Sequence, residues 1–205
     1  SGPYNIGMAP NVTWIHARAF SWDGASSQST LIQAAQWVLC PTKYDHTGAN
    51  CSKGADVVSC SFGGNSSLTW LNPSVKALRA AGVLPVFAAG NVNAFECGSV
   101  MEPGGFIDSI AVGGSNGGEL YPSSGKGPGL DGKTIKPDFV APSLAINSVL
   151  SAADSGRDAY VRLTGTSMAT PHVSGGLALL LSALEQARFR GGTAAVDVLA
   201  AMRNT

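Results

Sequence analysis

The sequence predicts an α/β fold built on a mainly parallel sheet. Short β-branched apolar segments alternate with segments of helical period, the links between them are short, and the chain is 44% hydrophobic but only 13% charged. With 205 residues, the chain is long enough for one buried core and too short for a second large domain. We therefore expect a single α/β domain.

The predicted elements begin as strand, helix, strand, helix, strand. Residues 11–19 alternate and predict the first strand, and a helix begins near residues 27–29. The apolar stripe of this helix contains Leu31, Ala34, Ala35, Val38 and Leu39. A second strand is predicted over residues 55–61, a helix over 74–81 and a third strand over 83–89. Strands joined through helices predict parallel pairing with right-handed crossovers.

The second half of the chain continues the pattern. A strand is predicted over residues 110–114, another follows the Lys136-Pro137-Asp138 segment, and residues 160–164 lead into a long apolar helix. Residues 195–202 predict a closing helix. For Asp138 we expect a turn or capping role.

A block of small residues, TGTSMATPHVSGG at positions 164–176, marks the start of the long helix. Gly165 leaves room for a substrate, and Thr166 and Ser167 supply the chemistry of a helix N-cap. We predict that Pro171 falls near the first turn, where a missing amide costs little. A serine presented at the positive end of a helix is a candidate nucleophile, and the alternative is a serine that only caps a core helix.

His172 lies five residues after Ser167, which corresponds to about 500° of rotation along a helix. This places it about 140° away from the face that carries the serine. We therefore predict a structural histidine rather than a catalytic base.

Two short motifs follow predicted strands, where parallel-sheet proteins place their chemistry. SFGG at residues 61–64 offers exposed backbone that could pair with an extended peptide, although it would serve equally as a turn. AAGN at residues 88–91 places the Asn91 amide at the sheet edge, where it could stabilise an oxyanion or form an Asx turn.

These motifs, in this order, resemble those of the subtilisin-like serine peptidases, whose nucleophile block, SxGG segment and AAGN motif match this chain. The Lys136–Pro137–Asp138 segment is similar to the family's KPDVxAPG block, with Ser143 in place of the usual glycine. The resemblance implies a subtilisin-like three-layer fold. It also implies that Ser167 is the nucleophile and that Asn91 is the oxyanion donor. The implied substrate-binding residues are Ser61, Phe62, Gly63, Gly64, Ala89 and Gly90.

The family's aspartate and histidine blocks have no counterpart in this sequence. His16 and His46 do not carry the histidine motif, and the opening residues are similar to the segment that follows the catalytic-histidine helix. We therefore expect residues 1–205 to be a catalytic-domain fragment, incomplete at its N-terminus, that is inactive alone and poorly folded or prone to aggregate.

Four cysteines allow three complete pairings, and their spacing fits no compact zinc site. Cys40 and Cys51 bracket a polar loop. Because the resemblance places the segments of Cys60 and Cys97 side by side, it favours the pairs 40–51 and 60–97. Four free thiols are the alternative.

The net charge is zero and no basic cluster is present, so we expect no nucleic-acid partner. The apolar run near residues 177–184 is too short to span a bilayer, so we expect no membrane partner. The resemblance implies a peptide or protein substrate, secretion, a monomer when full length, no required cofactor or catalytic metal, and calcium as an optional ligand.

Two functions are compatible with the sequence. The first is the nucleophile-bearing part of a serine endopeptidase, and the second is a non-catalytic peptide-binding or decoy module derived from one. An unrelated α/β hydrolase is not favoured, because the GxSxG pattern at residues 113–117 is not followed by a predicted helix, as a nucleophile elbow would be.

Overall fold

The computed structural model of the chain describes residues 6–64, 68–92, 96–150 and 159–188. Its main sheet has five strands: β1 (Val57–Cys60), β2 (Leu84–Ala88), β3 (Ile110–Asn116), β4 (Glu119–Leu120) and β5 (Phe139–Pro142). The pairs β1–β2, β2–β3 and β3–β5 are parallel, and only the short β4 pairs antiparallel with β3. The prediction of a mainly parallel sheet is confirmed.

Helices cover both faces of this sheet. The α-helices among the described residues are α1 (Gln28–Leu39), α2 (Asn72–Ala80) and α3 (Thr166–Arg188), and two short 3₁₀ helices lie at Cys51–Lys53 and Thr69–Leu71. Val86 of β2 belongs to the core cluster that contains Val173 and Leu177 of α3, whereas Phe87 packs in a cluster with residues of α1 and α2. Because neighbouring residues of a strand point to opposite faces, α3 lies on one face and the α1–α2 pair on the other. The fold therefore has three layers, as the resemblance implied.

The first helix forms where the sequence predicted it. Ser27 is its N-cap, and the Ser27 hydroxyl accepts a hydrogen bond from the Thr30 amide at 3.1 Å. Leu31 and Val38 are its buried residues. Cys40 ends the helix and forms a disulfide with Cys51, so the first predicted pair is present.

The second predicted disulfide is wrong, because Cys60 and Cys97 are free. Cys60 ends β1 and packs against the cluster around Phe87, whereas Cys97 lies exposed in a loop. Burial raises the pKa of the Cys60 thiol to about 12. The two sulfur atoms therefore occupy different environments, which sequence position alone did not reveal.

The strand predicted over residues 11–19 is also wrong. These residues carry no strand pairing, and Trp14 is 77% exposed. A strand needs a neighbour to accept its backbone hydrogen bonds, and none of the described strands pairs with this segment. The alternating pattern is present in the sequence, but the partner is absent from the part of the chain described.

Asp138 has a different role from the turn or cap that the sequence predicted. Its carboxylate accepts hydrogen bonds from the Lys136 ammonium at 2.6 Å and from the Ala111 amide at 2.8 Å. Both charged side chains are buried. The expected capping role is therefore wrong in kind, because Asp138 forms a buried ion pair that ties the start of β5 to β3.

A second, two-stranded sheet leads into α3. Its strands are β6 (Ile146–Val149) and β7 (Tyr160–Leu163), which pair antiparallel. The segment Thr166–Leu184 of α3 is apolar and long enough to cross a membrane by length and composition alone. Its Ala169, Val173 and Leu177 are buried against the main sheet, as expected of a core helix. The helix predicted over residues 195–202 lies outside the described residues.

Candidate active site

Ser167 is the second residue of α3, and its side chain is half-buried. The expected N-cap role of Thr166 and Ser167 is wrong, because the helix already begins at Thr166. The acceptor for its first amide comes from another element: the Thr166 amide donates to the Asn91 side-chain oxygen at 2.9 Å. The positive end of the helix is thus held against the end of β2.

Asn91 follows β2, and Thr166 fixes the direction of its side-chain amide. The Asn91 oxygen accepts hydrogen bonds from both the amide and the hydroxyl of Thr166, the latter at 3.2 Å. Its NH₂ group has no hydrogen-bond partner among the residues that the structure describes. A Cβ added at Gly165 would lie 3.2 Å from the Asn91 nitrogen, so this donor borders the turn that leads into Ser167.

Ser61 follows β1 and contacts Ser167 twice. The Ser167 hydroxyl donates to the Ser61 carbonyl at 3.0 Å, and the Ser61 hydroxyl donates to the Ser167 carbonyl at 2.7 Å. Because β1 and β2 are parallel neighbours, their carboxyl ends meet at one edge of the sheet. This edge, together with the start of α3, brings Ser61, Asn91 and Ser167 into one site.

The predicted peptide-binding strip, residues 61–64, is only partly free. The Gly64 amide donates to the Glu102 carbonyl at 2.9 Å, and the Glu102 amide donates to the Gly64 carbonyl at 3.1 Å. Gly64 therefore has no backbone group left for a peptide. Gly63 is exposed, whereas the Phe62 ring packs edge-to-face against Phe20 and Phe87.

Ala89 and Gly90 directly precede Asn91 and are held in place by contacts with neighbouring segments. Ala89 is buried, and its amide and carbonyl bond to Val112 and Met101. Gly90 has a φ of 96°, and the Met101 side chain occupies the space that a Cβ would need. Ala89 cannot pair with a peptide through its backbone, while Gly90 is required by the close approach of Met101.

The histidines do not bond to the nucleophile candidate. The His172 Nδ1 lies 2.8 Å from the Met168 carbonyl of its own helix, which agrees with the structural role expected for it. Within the described ranges, the partner of the Ser167 hydroxyl is the Ser61 carbonyl, not an imidazole or a carboxylate. A carbonyl oxygen can accept a hydrogen bond but cannot serve as the general base that acyl transfer needs.

No group of three or more His, Cys, Asp or Glu side chains comes together among the described residues. The arrangement that remains is a hydroxyl, an amide donor and a segment of open backbone at one sheet edge. A hydroxyl beside fixed N–H donors suits nucleophilic attack on a carbonyl, with the donors holding the negative charge that develops on oxygen.

Sequence reasoning missed the roles of Thr166 and of the Ser61 hydroxyl. The sequence suggests only a capping role for Thr166. In the structure its amide and its hydroxyl both donate to the side-chain oxygen of Asn91 and so orient the Asn91 amide. The four-residue spacing of Ser167 and Pro171 could have indicated the role of the Ser61 hydroxyl. Proline has no amide proton to donate to the carbonyl four residues earlier, so the Ser167 carbonyl needs a donor from elsewhere.

Comparison with known proteins gives consistent matches. The model of the subtilase family matches residues 2–205. Bacillopeptidase F from Bacillus subtilis is 37% identical over 189 residues, which are 89% of this chain and 13% of that protein. Alkaline protease from Alkalihalobacillus alcalophilus is 32% identical over 176 residues, or 85% of this chain and 39% of that protein.

Other matches cover a larger part of the relative. Subtilisin DY from Bacillus licheniformis is 29% identical over 178 residues, which are 86% of this chain and 57% of that protein. The structure of the prenylagaramide maturation protease PagA matches with a TM-score of 0.59 and 26% identity, over 80% of this chain and 52% of that one. The chain thus spans between 13% and 57% of the length of these proteins.

Proposed function

Because this chain belongs to the subtilase family, a family of serine-type peptidases, we propose that it is the nucleophile-bearing part of a serine endopeptidase. Ser167 attacks the carbonyl carbon of a peptide bond. The Asn91 NH₂ group and the Ser167 amide hold the resulting oxyanion. Residues 61–63 align the peptide through their backbone.

One observation carries this proposal. Thr166 donates twice to the Asn91 oxygen, so the NH₂ group of Asn91 is turned away from Thr166 and has no partner among the described residues. A donor fixed beforehand needs no reorganisation when the oxyanion forms, and the loss of one such donor typically lowers kcat by about 10²–10³-fold.

We further propose that the general base and the carboxylate that orients it come from a part of the protein outside these 205 residues. Two features support this: the sequence has neither motif, and the Ser167 hydroxyl donates to a carbonyl that cannot remove its proton. The isolated chain is therefore inactive.

The proposed setting is extracellular, with a peptide or protein as substrate. The Cys40–Cys51 disulfide supports it, because such bonds persist in oxidising compartments. We propose a monomer that needs no cofactor for the chemistry, without a nucleic-acid or membrane partner, and with calcium as an optional ligand.

The test compares this chain with the complete protein, including any residues encoded before Ser1. We expect a fluorophosphonate probe to label the complete protein at Ser167 and the complete protein to cleave a peptide amide. The isolated chain should label no faster than its Ser167→Ala variant. Rapid labelling of the isolated chain would show that its base lies within these residues. A complete protein that binds peptides without cleaving them would favour the binding or decoy module instead.

A further inference from the structure

A proline near the start of α3 leaves one helical carbonyl without its usual donor. Pro171 is the sixth residue of α3, beyond the first four amides that have no acceptor in any helix. The amide of residue 171 would donate to the carbonyl four residues earlier, which belongs to Ser167. Proline has no N–H, so the earlier expectation that its position is harmless is wrong, and the Ser167 carbonyl needs another donor.

Ser61 provides that donor from a different element. Its hydroxyl lies 2.7 Å from the Ser167 carbonyl, although 106 residues separate the two in sequence. The Ser167 hydroxyl donates back to the Ser61 carbonyl at 3.0 Å. The two hydrogen bonds tie both the backbone and the side chain of Ser167 to the end of β1.

We propose that Ser61 is a positioning residue: its hydroxyl replaces the amide that Pro171 lacks and so fixes Ser167 against the peptide-binding backbone. The inference rests on the proposed function of Ser167 as the nucleophile. It goes beyond the substrate-binding role expected of Ser61, because that role uses only the backbone of residues 61–63.

The position of the bond explains why it matters for chemistry more than for folding. Ser61 is exposed, so water can reach the Ser167 carbonyl when the hydroxyl is removed. Water satisfies the carbonyl but does not fix its distance from β1. Since a displacement of about 1 Å at a reacting group can lower the rate about 10²-fold, the loss should appear in kcat.

A double-mutant cycle in the complete protein tests the proposal. Pro171→Ala restores an amide at the right position, so Ser61 should become dispensable in that background. We expect Ser61→Ala to lower kcat and the labelling rate at Ser167 about 10–100-fold when residue 171 is proline, with KM changed less than about twofold. In the Pro171→Ala background, the same substitution should lower kcat less than about threefold.

Two control substitutions accompany the cycle. Ser61→Thr keeps the hydroxyl and should retain most of the activity. Ser59→Ala removes a hydroxyl from the same interface between β1 and α3, where Ser59 accepts from Ser174 at 2.9 Å, and its effect should be the same in both backgrounds. An equal loss from Ser61→Ala in both backgrounds, a loss confined to KM, or no loss at all would overturn the proposal.

Failure of the proposed function is a separate outcome. If the complete wild-type protein is neither labelled nor active, Ser167 is not a working nucleophile. Thermal melts of the wild type, the two single variants and the double variant of the cycle then test whether the Ser61 hydroxyl replaces the missing amide. Ser61→Ala should lower Tm more when residue 171 is proline than when it is alanine. Equal shifts in Tm would overturn the proposal in that case.

Discussion

The strands β1 and β2, whose carboxyl ends face Ser167, and the segment of residues 11–19 are all predicted as strands from the sequence, but they differ in structure. At the edge, β1 and β2 pair along their length and β2 is buried throughout. Residues 11–19 pair with no described strand, and Trp14 within them is 77% exposed. A segment of strand-like sequence thus becomes a strand only where a neighbour supplies hydrogen bonds and a second face to pack against.

This difference predicts that truncation of a large apolar side chain costs much stability in β2 and very little in residues 11–19. Leu84 in β2 is 1% exposed and packs beneath α3. We expect Leu84→Ala to lower the free energy of unfolding by about 2–5 kcal/mol, because it removes buried area and leaves a cavity. Trp14→Ala, although it removes more atoms, should change the free energy by less than about 0.5 kcal/mol.

Urea unfolding of the dilute 205-residue chain measures both variants against the wild type. A cost above about 1 kcal/mol for Trp14→Ala would break the comparison, since it would show that residues 11–19 are packed in solution. Repeating Trp14→Ala in the complete protein sharpens the comparison: a larger cost there would indicate that the segment gains a neighbour outside these residues.

A smaller effect is expected at Gly165, where the active-site edge depends on backbone conformation. Its φ of 145° is one that L side chains rarely adopt, and an added Cβ would lie 3.2 Å from the Asn91 amide. We expect Gly165→Ala to lower the free energy of unfolding by about 1–3 kcal/mol. It should also speed hydrogen exchange at the Thr166 amide, because the Asn91 oxygen would be displaced.

Gly82 is the matched control for this substitution. It also has a positive φ, 84°, but an added Cβ would meet nothing within 4 Å. Gly82→Ala should therefore carry only the conformational cost of about 1–2 kcal/mol and leave exchange at Thr166 unchanged. Equal effects of the two substitutions on that exchange rate would show that the contact with Asn91 plays no part.

The sequence predicted the parts of the site that depend on local motifs. The mainly parallel sheet and the strands that precede Ser61 and Asn91 follow from apolar segments of limited length and from their links, whereas the three layers were implied by the family resemblance. Residues that bond across elements could not be predicted in this way. The cap that Asn91 gives to Thr166 joins residues 75 positions apart, and the bond from Ser61 to Ser167 joins residues 106 apart. The failure at residues 11–19 has the same cause, since a strand depends on its neighbour.

The smallest expected effect concerns the two free thiols. Cys60 packs against a core cluster at the end of β1, and Cys97 lies in an exposed loop. Burial raises the pKa of Cys60 from 9.0 to about 12. At pH 8 a thiol-specific disulfide reagent should react with Cys97 alone in the folded chain and with both thiols after unfolding, since the thiolate is the reactive form. Labelling of Cys60 in the folded chain as fast as that of Cys97 would contradict this prediction.

The raised pKa of Cys60 also gives a pH dependence of known sign. Above pH 9 the unfolded chain loses the proton of Cys60 while the folded chain retains it, so the folded state binds more protons and stability falls as pH rises towards 12. Cys60→Ala should flatten this fall between pH 9 and the highest pH at which the chain remains folded, whereas Cys97→Ala should not. Identical profiles for the wild type and Cys60→Ala would mean that the Cys60 thiol is open to water. The contrast between packed strands and exposed segments would then not hold at the end of β1.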